Sequence, residues 1–170
     1  MPDPQSHADN RGFVESILRK IPGFKGYLEK EYRRESDYLA RTWMADRLRQ
    51  SKGGLDTYMR SLLDAGQIDA MAGCERVRTR LDGLENRLRA QVRGYSGFFD
   101  FVKVDEGLLD QVYQHDVGMF EDIETLAGEL ESLHLKQEDP AAVAIGMVAR
   151  IDEVERKFLK RGEMLTGVGE

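Results

Sequence analysis

The sequence predicts an all-α protein, an antiparallel bundle or coiled coil of about four long helices with a short amphipathic helix at the N-terminus. Apolar residues return every three or four positions over most of the chain, which is the period of one helix face. Charged residues make up 33% of the 170 residues and only four are proline, a composition typical of long helices with charged surfaces. A chain of this length forms one ordinary core. We therefore expect a single domain at 11–162 between a disordered tail at 1–10 and a flexible tail at 163–170.

The first element is a short helix over about 11–21, which Asn10 caps and Pro22-Gly23 ends. One side of it is apolar and basic residues lie beside that side, so it is the most plausible interaction site of the chain. The helix can pack on the bundle itself, or residues 11–25 can dock on a partner or on an anionic membrane. The candidate interaction residues are Phe13, Ile17, Leu18, Arg19, Lys20, Phe24 and Lys25.

A long second helix is expected from about 27 to 50, with Leu28, Tyr32, Leu39, Trp43 and Leu48 among its apolar positions. The pair Gly53-Gly54 leaves open whether a kink or a short turn follows. The third helix begins near Ile68 and has the clearest period in the chain. Its seam, meaning the positions that face a neighbouring helix, is Met71, Cys74, Val77 or Arg78, Leu81, Leu84, Leu88 and Val92. The single Cys74 is expected to be a buried small apolar residue.

A segment rich in phenylalanine, 98–104, joins the third and fourth helices. We expect Phe98, Phe99 and Phe101 to close one end of the bundle, and the alternative is an exposed aromatic surface for a partner.

The fourth helix is predicted from Asp105 as its cap to about His134. Asp139 and Pro140 should open a last helix, which is expected to end at Arg161-Gly162. The seam of the fourth helix is apolar except at one position: Leu109, Val112, Asp116, Met119, Ile123, Leu126, Leu130 and Leu133.

That exception, Asp116, is the most informative polar residue of the sequence. Burying a carboxylate costs several kcal/mol unless a partner such as Arg or Tyr satisfies it. Polar seam residues in coiled coils fix the register of the helices. We interpret Asp116 as a buried residue that specifies register.

Charge is distributed unevenly along the chain. The net charge is +3 over residues 1–60, +1 over 61–103 and −10 over 104–170. Basic early helices can pair with acidic late ones inside the chain, or the late helices can offer an acidic surface to a basic partner. No concentrated basic stripe is present, since acids interrupt the arginines over 29–37, and a nucleic-acid partner is not expected.

Catalytic and cofactor-binding residues are not expected, because neither a nucleophile elbow nor a phosphate-binding loop occurs. The one fragment with metal-ligand spacing is Glu131 and His134, which three residues separate. Di-metal bundles need that pair on each of two helices, and here it occurs once, so it is kept only as a weak alternative.

Two separated motifs resemble a family of uncharacterised bacterial helical proteins. They are Ile21-Pro22-Gly23-Phe24-Lys25-Gly26-Tyr27 with Lys30-Glu31, Arg33-Arg34 and Asp37, and Gly94-Tyr95-Ser96-Gly97-Phe98-Phe99-Asp100 with Val102-Lys103-Val104-Asp105. The resemblance covers about 13–135. It implies an accessory protein of flotillin-type membrane scaffolds and carries no activity or site residue.

The sequence therefore favours a non-enzymatic adaptor or scaffold that engages a protein partner. No stretch reaches the roughly 18 to 20 apolar residues of a membrane span. We therefore expect a cytoplasmic protein that is either free or peripheral at the inner membrane face. One alternative is a metal- or small-molecule-binding bundle. Another is self-association through the seam from Leu81 to Val92.

Overall fold

The computed structural model describes residues 15, 16, 18–90 and 105–166. Within them the protein consists of long helices and contains no strand, which confirms the predicted all-α bundle. The helices are α1 (Arg33–Asp64), α2 (Met71–Arg89), α3 (Glu106–Glu131) and α4 (Pro140–Thr166). Single 3-10 turns precede α1 at Lys30–Tyr32, precede α2 at Ile68–Ala70 and follow α3 at Leu133–Leu135.

The four helices form two antiparallel hairpins. In the first hairpin Lys52 of α1 forms an ion pair with Glu85 of α2, and in the second Lys157 of α4 lies 2.5 Å from Asp122 of α3. The hairpins pack with α1 beside α3 and α2 beside α4. Residue numbers rise together along both of these contacts, so each pair is parallel. For α1 and α3 the partners are Trp43 with Phe120, Arg47 with Glu124, and Gly54 with Leu130.

The core lies between the hairpins and contains most of the predicted seam residues. The seam positions of α2 from Cys74 to Leu88 are buried, and so are all predicted seam positions of α3. Leu81, Leu84 and Leu88 belong to the main core cluster of the single chain. The main cluster also contains Ala40, Met44, Leu48, Leu55, Tyr58, Leu62, Val143, Met147, Ile151, Val154 and Phe158.

The predicted start of the long helix at residue 27 is wrong, because α1 begins at Arg33. Gly26 has φ +74°, a left-handed backbone conformation that suits glycine. Arg33 then takes the carbonyls that a helix would use, since its Nε lies 2.6 Å from the oxygen of Tyr27 and its Nη2 3.2 Å from that of Leu28. Leu28, predicted on the apolar face, is consequently 67% exposed.

The Gly53-Gly54 pair does not interrupt α1. A Cβ on Gly54 would lie 2.3 Å from the carbonyl oxygen of Leu130 and 2.5 Å from the Cα of Glu131. The second glycine therefore lets the backbones of α1 and α3 approach closely, and it serves helix packing rather than a turn.

Two predicted helix ends are also wrong. The fourth predicted helix ends at Glu131 rather than near His134, and the last continues past Arg161-Gly162 to Thr166. Leu165 is buried with Tyr27, Leu109 and Val112 in a second apolar cluster, which holds the extra turn in place. The predicted caps are correct, since Asp105 accepts from the backbone N–H of Gly107 at 3.0 Å and Asp139 from that of Ala142 at 3.3 Å.

The charge asymmetry is used inside the chain. Arg47 bridges Glu124 and Glu131 at 3.1 and 2.6 Å, and Arg87 lies 3.1 Å from Glu155. Arginines of the early helices thus pair with acidic residues of the late helices, as expected if the charge asymmetry serves pairing inside the chain.

Several predictions fall on residues outside the described ranges. These are the tails at 1–10 and 167–170, Val92, and the phenylalanines Phe98, Phe99 and Phe101. Of the predicted N-terminal helix, the described residues 15, 16, 18 and 19 are helical. None of the described helices has the combination of length and apolar character needed to cross a bilayer.

Candidate functional site

Asp116 lies on α3 and is fully buried. Arg161 of α4 holds it with two hydrogen bonds, from Nε to Oδ1 at 2.6 Å and from Nη2 to Oδ2 at 3.0 Å. The hydroxyl of Tyr27 donates to Oδ2 as well. The prediction that Asp116 is buried is confirmed.

Arg161 also reaches across the bundle to α1. Its Nη2 donates to Oδ1 of Asp37 at 2.7 Å and lies 3.1 Å from the hydroxyl of Tyr27. The other oxygen of Asp37 accepts from Nε of Arg41 at 3.0 Å. Arg41 in turn donates through Nη1 to the carbonyl of Leu88, at the end of α2, at 3.1 Å. We call Tyr27, Asp37, Arg41, Asp116 and Arg161 the buried charge network; it joins all four helices.

The network is electrically balanced, with two carboxylates against two guanidinium groups. Burial alone would lower the pKa of Arg161, but its acidic neighbours, Asp116 above all, raise that pKa well above its ordinary value. Burial, followed by the charge of Asp116, raises the pKa of Tyr27 well above 10. Arg161 therefore stays charged and Tyr27 stays a neutral donor. Because Asp116 and Arg161 have no exposed surface, a substrate has no access to them.

Residues 18–32, which we call the strap, are fastened to the bundle by this network. Tyr27 inserts into the network and its carbonyl accepts from Arg33. Ile21 is 3% exposed and belongs to the main core. On the other side of the strap, Lys20 pairs with Glu124 of α3 at 3.6 Å. The strap is thus an integral part of the fold.

The predicted interaction residues of the strap divide into two sides. Leu18 and Phe24 pack against the core, and the ring of Phe24 lies 5.9 Å from that of Phe120. Arg19, Lys20 and Lys25 are exposed, although the Lys25 ammonium also lies 3.8 Å from the centre of the Tyr32 ring. The apolar residues therefore serve the chain's own fold and the cations face outward. The other two members of the predicted set, Phe13 and Ile17, lie outside the described residues.

Glu131 is the last residue of helix α3, and His134 lies in the following 3-10 turn. Glu131 is bound by Arg47, whose hydrogen bond lowers the pKa of that carboxyl. Across the described ranges, no three or more His, Cys, Asp or Glu side chains come together as a metal site would require.

Sequence reasoning found Asp116 but missed its partners. Arg161 falls in the series Ile151, Val154, Phe158, Arg161 and Leu165, whose steps of three and four place it on the core face. An arginine at a position that the spacing assigns to the core face was the sequence signal for the partner of Asp116.

Across the described residues, fold and site together define a bundle of four long helices with a buried charge network that holds an N-terminal strap. In comparison with known proteins, the chain matches no family model, no curated protein and no solved structure. The resemblance over 13–135 thus stays a prediction.

Proposed function

We propose that this protein is a non-enzymatic adaptor or scaffold that uses the outer face of its strap to bind a protein partner. The observation that carries the proposal is the division of the strap into an inner apolar side and an outer basic side. The strap carries four basic and two acidic side chains, and its cations Arg19, Lys20, Lys25 and Lys30 are exposed. A surface of this sign fits an acidic partner.

Exposed apolar side chains accompany these cations. Leu28 within the strap is 67% exposed, and Tyr38 in the second turn of α1 is 60% exposed. Interfaces commonly combine apolar and aromatic contacts at the centre with charged groups at the rim. The strap with Tyr38 offers both kinds of group.

The buried charge network supports a binding role rather than a catalytic one for this region. Its charges are compensated by one another and closed to solvent, so their use is to hold the strap rigidly. A rigidly held segment loses little conformational entropy when a partner binds.

We also propose that binding takes place in the cytoplasm at the inner membrane face. The exposed cations of the strap would be attracted to anionic headgroups, and each would contribute about 1 kcal/mol near such a surface. The resemblance to accessory proteins of flotillin-type scaffolds supports the same location.

Charge reversal on the outer face tests the proposal without disturbing the core. Arg19→Glu with Lys25→Glu changes two exposed strap cations, and Arg60→Glu with Arg76→Glu is the matched control on exposed positions of α1 and α2. Quantitative affinity purification from the native cells should lose a specific partner with the strap variant and keep it with the control. Cosedimentation with vesicles containing anionic phospholipid should fall in the same way. Equal partner sets and equal sedimentation for both variants would overturn the proposal.

A further inference from the structure

A cavity of about 390 Å³ lies between the strap and the first turns of α3. Its volume is within the range of about 300 to 1,000 Å³ that small-molecule sites occupy. The walls are mainly apolar and aromatic, as such sites usually are: Leu18, Phe24, Tyr27, Leu28, Leu109 and Tyr113.

The aromatic rings of the wall are ordered by contacts among themselves. The ring of Phe24 lies 6.3 Å from that of Tyr113, nearly parallel at 16°, and 5.9 Å from that of Tyr27 at 89°. The three rings of Phe24, Tyr27 and Tyr113 therefore line the same cavity in different orientations. Ring faces attract cations as well as apolar groups.

The wall also contains one carboxylate, Asp110, one helical turn before Tyr113. Burial raises the pKa of Tyr113, and the negative charge of Asp110 raises it further, so the field of Asp110 acts on the wall. Lys25 lines the cavity too, but its ammonium lies over the Tyr32 ring, which is not part of the wall. Asp110 forms no ion pair with any group in the described part of the chain.

We propose that this cavity binds a small organic cation whose apolar body packs against the rings and leucines while its ammonium group faces Asp110. An aralkyl amine with one ring has the required chemistry. The cavity shares Lys25 and Leu28 with the outer face of the strap, and the inference goes beyond the adaptor function because its ligand is a small molecule rather than a protein partner.

Three probes with the same body and different head groups test the proposal: 4-phenylbutylamine, 4-phenylbutan-1-ol and 4-phenylbutyrate. Each is titrated into the full-length protein labelled with ¹⁵N, and the amide resonances are followed. We expect the amine to shift the resonances of Gly26, Leu109, Asp110 and Tyr113. The amine should bind about threefold to fivefold more tightly than the alcohol, as one partly exposed ion pair allows. The acid should bind most weakly.

Two pairs of variants separate the charge from the cavity. Asp110→Asn should bring the affinity for the amine down to that for the alcohol, whereas Asp69→Asn, an exposed control outside the cavity, should change nothing. Leu28→Trp adds bulk at an exposed wall position and should weaken the amine and the alcohol alike. Ile145→Trp adds the same bulk on α4, where Ile145 is 67% exposed, and should weaken neither.

All four substitutions are on exposed positions, and unchanged thermal unfolding will show that the fold is retained. The proposal is overturned if no probe shifts the cavity resonances, if the acid binds as well as the amine, or if the shifts lie elsewhere on the bundle. It is also overturned if Asp110→Asn leaves the preference for the amine intact.

Discussion

Around the second half of α1 the helices meet through apolar side chains and glycines, whereas around its first turns they meet through buried charges. We call the first of these regions the apolar end. There Gly54 lets α1 touch the backbone of α3 at Leu130, and Gly73 of α2 faces Ala144 of α4. At the second, which we call the charged end, Asp37 and Asp116 meet through Arg161. The same four helices are therefore joined in two different ways.

The two ends contribute differently to the fold: one holds the helices together and the other fixes their alignment. Apolar burial is proportional to area and has no direction, so it holds helices together in many alignments. A buried ion pair adds little net stability, but it is costly to break, because the remaining charge is left without a partner. The apolar end thus supplies cohesion, while the charged end selects one alignment and fastens the strap.

The largest effect is expected from Arg161→Met, which removes the cation shared by Asp37 and Asp116. Asp116 then stays buried without its guanidinium partner, and we expect the free energy of unfolding to fall by about 3 to 5 kcal/mol. Denaturant unfolding followed by circular dichroism measures it. The double variant Asp116→Leu with Arg161→Met should lose less than the sum of the two single losses, since neither charge is then orphaned. A single-variant loss below about 1 kcal/mol would remove the proposed distinction between the ends.

At the apolar end, Gly54→Ala should cost about 1 to 3 kcal/mol, because the new Cβ meets backbone atoms that cannot move independently. The neighbouring Gly53→Ala is the matched control. A Cβ there meets nothing within 4 Å, so this variant should gain about 0.5 to 1 kcal/mol from helix propensity. Thermal unfolding of both variants gives the comparison, and equal effects of the same sign would contradict it.

Tyr27→Phe probes the attachment of the strap to the charged end. Loss of one buried donor to Asp116 should cost about 1 to 3 kcal/mol and speed hydrogen exchange of the strap amides. Because the pKa of Tyr27 is raised in the folded protein, its contribution is fully present below the ordinary value of 10 and is lost as pH rises past it. The stability difference between wild type and variant should shrink above pH 10. A difference that grows there would refute the assigned role.

The smallest effect is expected from Arg47→Met, which removes a partly exposed cation between α1 and α3. Solvent screening limits the loss to about 1 kcal/mol or less. Since Arg47 lowers the pKa of Glu131 below its ordinary 4.5, this contribution is present above that value and disappears as pH falls through it. Unfolding at pH 7 and pH 3 measures the change. An effect as large as that of Arg161→Met would show that burial does not set the ranking.

Periodicity predicted the interior of the bundle well, because the local spacing of apolar residues identifies the core positions of each helix. The seam positions from Cys74 to Leu88, the seam of the fourth predicted helix and the caps at Asp105 and Asp139 are correct for this reason, whereas the predicted seam residue Met71 is only partly buried. What the sequence could not show is which helix faces which, since the parallel contact of α1 with α3 depends on residues far apart in the chain.

Errors occur where a tertiary contact overrides a local signal. Gly54 looked like a break and is a packing contact, while Arg161 looked like a helix terminus and lies on the core face. The sequence identified the predicted helix over about 11–21 as amphipathic. The insertion of Tyr27 between Asp116 and Arg161, which fastens the strap, is a tertiary contact that periodicity could not show.

Each hairpin contributes one ion pair to the charged end of the bundle, Asp37 with Arg41 in the first and Asp116 with Arg161 in the second. Either hairpin is therefore neutral at this position, and the bond from Arg161 to Asp37 connects the two pairs. Sliding one hairpin along the other would break that bond and leave both ion pairs intact, so a misaligned bundle would keep its charges paired and lose the contact between the hairpins.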